Sequence, residues 1–291
     1  MSDDASYRGW VRPGPRPPGG IEPERGETLD YLCGHFRIFQ YEKGHRYSTD
    51  DVLTAWYGTH WAPRVDRMAD LGSGIGSIAL IAAWRLPGTI IRTVEAQRIS
   101  IRLARKSVEY NGLSHRYQAI EGDLRDPSLL AGEAPFDLVT GSPPYFPEGT
   151  ASSAAHEQAI PARIETRGDV GDYAAAAARI LAAGGVFAFV FPTLQIGRAF
   201  EALRDAGLVL LRRREVVFKE GEPSVISLFA AARGADLPSS FTSPSPGKPW
   251  AEPPLIIRDG QGRVHPEYAT IRLSFGFPPG DVAGTPVSSP P

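Results

Sequence analysis

The sequence predicts an α/β fold in which a mostly parallel sheet carries helices on both faces and has an antiparallel last strand. From Arg67 onward, short apolar runs alternate with helical patterns, and repeated strand-then-helix units produce a parallel sheet. The last two predicted strands are separated only by the segment 219–223, which is too short for a crossover helix. We therefore expect those two strands to be antiparallel neighbours.

The helices and strands are predicted from the spacing of apolar residues and from the residue types that begin and end each element. Before the sheet, the alternation over 35–40 predicts an edge strand or hairpin, and N-cap residues over 47–51 predict a helix that ends before Pro63. Strands are predicted at 66–70, 89–95, 117–121, 136–140, 185–191, 208–218 and 224–232. Helices are predicted at 75–86, 98–111, 171–183 and 194–206.

The chain divides into one domain between two tails. Residues 1–27 are rich in Pro, Gly and Arg, have little to bury and are predicted to be disordered, as is the Pro-rich tail 278–291. The domain spans 28–277. Its parts are an N-terminal segment at 28–65, a core at 66–232, a flexible Ser/Pro/Gly-rich linker at 234–252 and a C-terminal extension at 253–277.

Composition excludes several classes of protein. The 31 Lys and Arg residues nearly balance the 33 Asp and Glu residues, so total charge does not indicate a nucleic-acid partner. Basic clusters in the N-terminal region and at 212–214 suit either phosphate contacts or solvated surface. Cys33 is the only cysteine, which excludes a disulfide framework, and we expect no metal site. Without a signal segment or an apolar run of about 18 residues, we expect a cytoplasmic protein that does not enter a membrane.

A glycine-rich turn follows the first strand of the core. Asp70 ends that strand, and Gly72, Gly74 and Gly76 lead into the helix. Alternating glycines let the backbone approach a ligand closely, and the helix N-terminus offers free N–H groups. The dinucleotide fingerprint requires a third glycine where Ser77 stands, so a dehydrogenase is disfavoured. Asp70 suits a ligand with an ammonium group.

Acidic residues also follow the next two strands. Glu95 ends the second strand and can accept both hydroxyls of a ribose, and Asp123 with Leu124 ends the third, where Asp123 can accept from an adenine amino group. Taken alone, Glu95 is also consistent with an exposed carboxylate at a strand end, and Asp123 with a simple turn aspartate. Because successive strands of an open α/β sheet place their carboxyl ends along one crevice, the joint arrangement favours a binding site.

The fourth strand leads into Gly141-Ser142-Pro143-Pro144-Tyr145-Phe146. Consecutive prolines fix the backbone and remove donors, which leaves carbonyl oxygens free to accept hydrogen bonds beside an aromatic ring. A rigid acceptor cluster beside a stacking surface suits a flat ligand with an NH2 group, such as a nucleobase. The alternative is a simple proline-rich turn at a strand end.

The region 66–232 resembles class I S-adenosylmethionine-dependent methyltransferases. Asp70–Gly76 matches the first motif of that family, Glu95 its ribose acid, Asp123 its adenine-contacting acid, and Ser142–Tyr145 its amino-methylating motif. The resemblance implies a seven-stranded Rossmann-like sheet with a reversed last strand, S-adenosyl-L-methionine as the cofactor, and Ser142, Pro143, Pro144 and Tyr145 as catalytic residues.

A narrower resemblance extends over about 28–277. The segment 46–53, Arg163-Ile164-Glu165, and 253–258 followed by 262–268 are similar to segments of bacterial tRNA (adenine-N6) methyltransferases of the small-domain family. The resemblance implies that Asp50 helps to close the cofactor pocket, that Tyr145, Phe146 and Arg163 contact the substrate, and that tRNA or another RNA is the partner. It implies no oligomeric state.

One residue departs from the family pattern. Ser142 occupies the position of the family's Asn, and its shorter hydroxyl can still accept a hydrogen bond from an amino group. We therefore expect methylation of an exocyclic amino group of a nucleobase, with adenine N6 in tRNA as the first hypothesis. The alternatives are a protein glutamine N5-methyltransferase of the release-factor type, whose substrate is also a planar NH2, and a cofactor-binding homologue that has lost activity.

Overall fold

The computed structural model describes residues 9–62, 64–146, 165–238 and 251–282. The strands in these residues are β1 Glu27–Tyr31, β2 Arg37–Tyr41, β3 Arg67–Leu71, β4 Ile90–Glu95, β5 Tyr117–Glu121, β6 Phe136–Gly141, β7 Leu181–Pro192, β8 Leu208–Lys219, β9 Ile226–Arg233 and β10 Ala251–Arg258. The helices are α1 Thr49–Trp61, α2 Ser77–Arg85, α3 Arg98–Tyr110, α4 Val170–Ile180, α5 Ile196–Asp205 and α6 Pro266–Ser274.

The predicted fold class is confirmed. One sheet has the strand order β10-β8-β9-β7-β6-β3-β4-β5. Strand β9 runs antiparallel to both β7 and β8, and the other pairs are parallel. Because β3 and β4 pair side by side while β6 lies on the other side of β3, the strand order reverses at β3. Such a reversal point is where open α/β sheets bind ligands.

The strand count differs from the expected seven. The eighth strand is β10, which begins at the end of the predicted linker, continues into the extension and pairs in parallel with β8 at the edge of the sheet. Its register shifts between Glu252 and Leu255, around Pro253 and Pro254. An edge strand tolerates proline because one side makes no ladder hydrogen bonds. Buried Leu255 and Ile257 explain why this short apolar patch joins the sheet.

Two helical layers enclose the sheet. Helices α1, α2 and α3 pack on one face in a core that includes Met68, Ile81 and Leu103. Helices α4 and α5 pack on the other face around stacked phenylalanines of β7 and β9, such as Phe189 and Phe229. Within the described ranges, no helix is long and apolar enough to cross a membrane.

The part of the N-terminal tail that the structure describes makes contacts that its composition did not predict. Residues 9–26 belong to the tail for which we expected disorder, yet the Gly19 N–H donates to the Tyr110 carbonyl at 3.1 Å and Arg12 lies 3.4 Å from the Tyr31 ring centroid. A segment rich in Gly and Pro cannot form its own core, but it can cover one formed by other elements. The predicted hairpin, β1–β2, lies beside this segment and packs on α3.

Candidate active site

A cleft opens at the carboxyl ends of β3, β4, β5 and β6. Its space, including the open region at its mouth, is about 870 Å³. Predicted site residues on its wall are Gly72, Gly74, Glu95, Asp123, Leu124, Ser142 and Pro144. The structure thus brings together predicted cofactor residues and predicted target residues in one cleft.

Other predicted residues do not line the cleft. These are Asp50, Asp70, Gly76, Pro143, Tyr145 and Phe146. Arg163 lies outside the described residues.

The glycine turn after β3 forms the floor of the cleft. Gly72, Gly74 and Gly76 all have left-handed backbone conformations, with φ of +59°, +55° and +83°. A Cβ on Gly72 would overlap the Tyr173 hydroxyl and lie 2.7 Å from its Cζ, whereas a Cβ on Gly74 would have no atom within 4 Å. Gly72 therefore makes room for an internal side chain, and Gly74 leaves open space for a ligand.

Asp70 lies beneath this floor and is 1% exposed. One carboxylate oxygen, Oδ1, accepts a hydrogen bond from Thr140 Oγ1 at 2.7 Å, and Oδ2 has no hydrogen-bond partner among the residues that the structure describes. Burial, reinforced by the negative charges of Asp51 and Glu95, raises the pKa of Asp70 to about 7. A buried charge without full compensation is costly, so the site is arranged for a positively charged group.

Two further buried carboxylates line the same cleft. Glu95 accepts from the backbone N–H groups of Gly74, at 2.8 Å, and Gln97, at 2.6 Å, and burial raises its pKa. Asp51 accepts from the Ser48 N–H at 2.8 Å as part of the capping box of α1, and burial raises its pKa to about 7. Burial therefore disfavours the charged form of all three carboxyls, and a bound cation would favour it.

We expect Asp51 and Asp70 to make the ligand-free protein less stable as the pH rises from about 4 to about 7. The folded-state pKa values of Asp51 and Asp70 are about 7, above their unfolded values, so the folded protein binds more protons in this window. Their stabilising contribution is complete below the unfolded pKa and is lost as the pH passes the folded pKa. The slope is at most about 1.4 kcal/mol per pH unit for each group.

Urea denaturation at several pH values from 5 to 8 measures this slope. Asp70→Asn should reduce the change in unfolding free energy with pH. The matched control Asp126→Asn should not, because a hydrogen bond from Ser128 lowers the pKa of the exposed Asp126. Equal slopes in the wild type and in Asp70→Asn would contradict the raised pKa of Asp70.

Asp123 and Arg167 lie on the more exposed part of the cleft. Asp123 forms a salt bridge with Arg125 at 2.6 Å, and hydrogen bonds from Arg125 lower its pKa. Arg167 donates to the Ala96 carbonyl at 2.9 Å and lines the cleft. Its charge helps to lower the pKa of Asp123 and opposes the rise that burial causes in the pKa of Glu95. Arg167 is therefore a positive group on an otherwise acidic wall.

The predicted target motif leaves the sheet at the end of β6. Ser142 and Pro144 reach the cleft. Tyr145 is half-buried, and its hydroxyl donates to Asp50 Oδ2 at 2.7 Å. Burial and the charge of Asp50 raise the pKa of Tyr145 well above its usual value. Phe146, the next residue, is 44% exposed.

Sequence reasoning missed several residues of the cleft. Tyr173 is the least obvious, because it belongs to the alanine-rich face of α4, but it is the only aromatic residue there and it packs on two glycines, Gly72 and Gly141. Asp51 was interpreted only as a helix cap, Ser77 only as a departure from the dinucleotide fingerprint, and His45 carried no signal. Within the described ranges, no group of three or more His, Cys, Asp or Glu residues is arranged to hold a metal ion.

Comparison with known proteins identifies the family. The model of the methyltransferase small domain matches residues 59–195. The tRNA1(Val) (adenine(37)-N6)-methyltransferase of Shewanella amazonensis is 31% identical over 207 residues, which cover 69% of this chain and 84% of that protein. The protein with the same name from Porphyromonas gingivalis is 34% identical over 136 residues, 43% of this chain, and the match spans only 53% of that relative.

Two other similarities are more limited. A release factor glutamine methyltransferase of Chlorobaculum tepidum is 36% identical over 80 residues, 27% of each chain. The crystal structure of a predicted O-methyltransferase from Agrobacterium tumefaciens has a TM-score of 0.57 at 20% identity and covers 81% of this chain and 100% of that one. At this identity the structural match supports the fold alone. With the similarity that extends across most of the Shewanella protein, the glycine turn and the acidic cleft make the family clear: the chain belongs to the small-domain family of class I S-adenosylmethionine-dependent methyltransferases.

Proposed function

We propose that the protein methylates an exocyclic amino group of a nucleobase, namely adenine N6 in tRNA. The observation that carries the proposal is the shared cleft, where Ser142 and Pro144 lie with Gly74 and Glu95 around a space of about 870 Å³. A site that must bring a methyl donor and an acceptor nitrogen together needs both sets of residues on one wall.

The cleft fits S-adenosyl-L-methionine on observations of this structure. Gly74 leaves free space for the ligand beside the N-terminus of α2. Asp70 has an uncompensated buried oxygen that suits the ammonium group, directly or through water. Each carboxylate oxygen of Glu95 accepts one backbone hydrogen bond and retains a lone pair that can accept from a ribose hydroxyl. Asp123 and Leu124 lie farther along the cleft, where they suit the adenine.

The residues of the target motif suit an amino group. When bound, the cofactor supplies a methyl group that its sulfonium already activates. The nitrogen lone pair of a nucleobase amino group is conjugated into the ring and is a weak nucleophile. Ser142 Oγ and a carbonyl oxygen of the Pro143 region would accept its two hydrogens and localise the lone pair. Tyr145 and Phe146 would stack on a base that has left its own stack.

The relatives support RNA as the partner. The Shewanella and Porphyromonas proteins are both named for an adenine of a tRNA. A second candidate is the amide of a glutamine side chain, because the local match to a release factor glutamine methyltransferase provides independent support for a planar NH2 substrate. Both candidates use the same acceptor residues.

Methyl transfer to tRNA from cells that lack N6-methyladenosine tests the proposal. Radiolabelled cofactor, followed by nucleoside digestion, should give labelled N6-methyladenosine. Ser142→Ala should lower kcat by about 10- to 100-fold because one acceptor is lost. Ser142→Asn restores the residue of the family pattern and should retain activity.

Each other outcome has a distinct meaning. Label in a glutamine-containing release-factor peptide, with none in tRNA, would replace the proposal by the second candidate. Calorimetric binding of the cofactor without transfer to either substrate would identify an inactive homologue. Full activity of Ser142→Ala on tRNA would show that Ser142 is not an acceptor for the target amino group.

A further inference from the structure

Tyr145 is held at two points by residues from opposite sides of the sheet. Its hydroxyl donates to Asp50 Oδ2 at 2.7 Å, and its backbone carbonyl accepts from Gln195 Nε2 at 2.7 Å. Asp50 is in the first turn of α1, and Gln195 immediately precedes α5. The two helices belong to the two layers that enclose the sheet.

A second set of contacts holds Gln195 in place. Arg198 Nη1 donates to Gln195 Oε1 at 2.7 Å, and Arg198 Nη2 forms an ion pair with Glu165 Oε1 at 2.7 Å. The Glu165 N–H in turn donates to the Phe146 carbonyl at 2.9 Å. These contacts close a ring from Tyr145 through Gln195, Arg198 and Glu165 to Phe146.

The tyrosine ring also packs against a second aromatic ring. Tyr145 and Phe191 are perpendicular, with centroids 6.3 Å apart and an interplanar angle of 89°, a preferred geometry for aromatic pairs. With the hydroxyl, the carbonyl and the ring all in contact, little freedom of rotation remains. A stacking surface that is already oriented loses little entropy when it binds a base.

We propose that Asp50 and Gln195 are positioning residues that orient Tyr145 for the target base, with Arg198 and Glu165 supporting Gln195. The inference rests on the proposed function and extends it to residues that do not line the cleft. It assigns Asp50 to the target side rather than to closure of the cofactor pocket. It also gives the Tyr145 hydroxyl a role, which pure stacking would not require.

Variants of each anchor separate hydrogen bonding from packing. Gln195→Glu and Gln195→Met both lack the donor to the Tyr145 carbonyl, but only the first adds a charge. Asp50→Ala removes the acceptor of the Tyr145 hydroxyl, whereas Asp50→Asn keeps an oxygen in that place. Arg204→Ala is the matched control, because Arg204 is on α5 but has a side chain that is 72% exposed.

We expect kcat on tRNA to fall by about 10- to 100-fold in both Gln195 variants and in Asp50→Ala. The cofactor Kd should stay within about twofold. Asp50→Asn should recover most of the activity, because its side-chain oxygen can still accept from the Tyr145 hydroxyl. Unchanged kcat in Asp50→Ala and in both Gln195 variants of an enzyme that is active on tRNA would overturn the inference.

Hydrogen–deuterium exchange provides a readout that needs no substrate. The segment Gly141–Phe146 should exchange faster in Asp50→Ala and Gln195→Met, at an unchanged global unfolding free energy, and not in Arg204→Ala. If the wild type transfers no methyl to tRNA and this segment still loosens, the proposed substrate is wrong and the anchoring stands. If its exchange is unchanged, the anchoring is wrong whatever the activity.

Discussion

Asp70→Asn should abolish cofactor binding while leaving the ligand-free protein at least as stable as the wild type at pH 8. Asp70 is buried with one carboxylate oxygen that has no partner within the described part of the chain, and its pKa is about 7. Above that pH the folded protein must hold an uncompensated charge, and an amide of the same shape removes this cost. The Asp70 carboxylate can form a charge pair with a ligand ammonium group, whereas a neutral amide at this position cannot.

The measurement compares calorimetric affinity for S-adenosyl-L-methionine with the urea midpoint of the same samples. We expect affinity to fall by about 100-fold or more, in line with the loss of a buried charge pair. Glu95→Ala should also abolish binding, whereas the exposed Asp126→Asn should leave both quantities unchanged. Wild-type affinity in both Asp70→Asn and Glu95→Ala would refute the assignment of the cofactor pocket.

Gly72→Ala should be far more destabilising than Gly74→Ala, although the two residues have nearly the same φ, +59° and +55°. Both substitutions force alanine into the left-handed region, at a cost of about 1–2 kcal/mol. Only at Gly72 does the new methyl group overlap another side chain, because it meets the Tyr173 hydroxyl and lies 2.7 Å from Cζ. Overpacking adds about 1–3 kcal/mol.

Thermal denaturation without ligand measures the difference. A loss of about 2–4 °C per kcal/mol predicts a decrease in Tm of about 10 °C for Gly72→Ala and about 3 °C for Gly74→Ala. Tyr173→Phe should partly rescue Gly72→Ala because it removes the nearest atom. Gly74→Ala should instead weaken cofactor binding, since its methyl group occupies the open space. Equal Tm values for the two alanine variants would show that Tyr173 moves aside freely.

Individual strands and helices could be predicted from the sequence because the residues that determine them lie within or next to each element. Predicted strands such as 117–121 and 136–140 match β5 and β6 within one residue, since apolar periodicity and the glycines at the strand ends are contained in each segment. The antiparallel β9 followed from the length of one connection. The common location of the predicted site residues followed from a topological rule that needs only the order of the strands.

Contacts between distant segments could not be predicted in this way. Tyr145 and Asp50 are 95 positions apart, and their hydrogen bond exists because α1 packs on the sheet with its first turn beside the end of β6. The room for Tyr173 depends on two glycines from separate parts of the chain, Gly72 just after β3 and Gly141 at the end of β6. The pairing of β10 with β8 depends on an open edge that earlier strands leave.

The sequence by itself determined the fold class and the places of the glycine turn and the strand-end acids, because these depend on the residues within and next to each element, and its resemblance to a family indicated methyl transfer. Only the tertiary structure decided which carboxylate lies buried without full compensation and what holds the target motif. Burial and side-chain pairing are properties of the packed layers, and Asp50, Asp70 and Tyr145 acquire their pKa shifts and partners only when those layers meet.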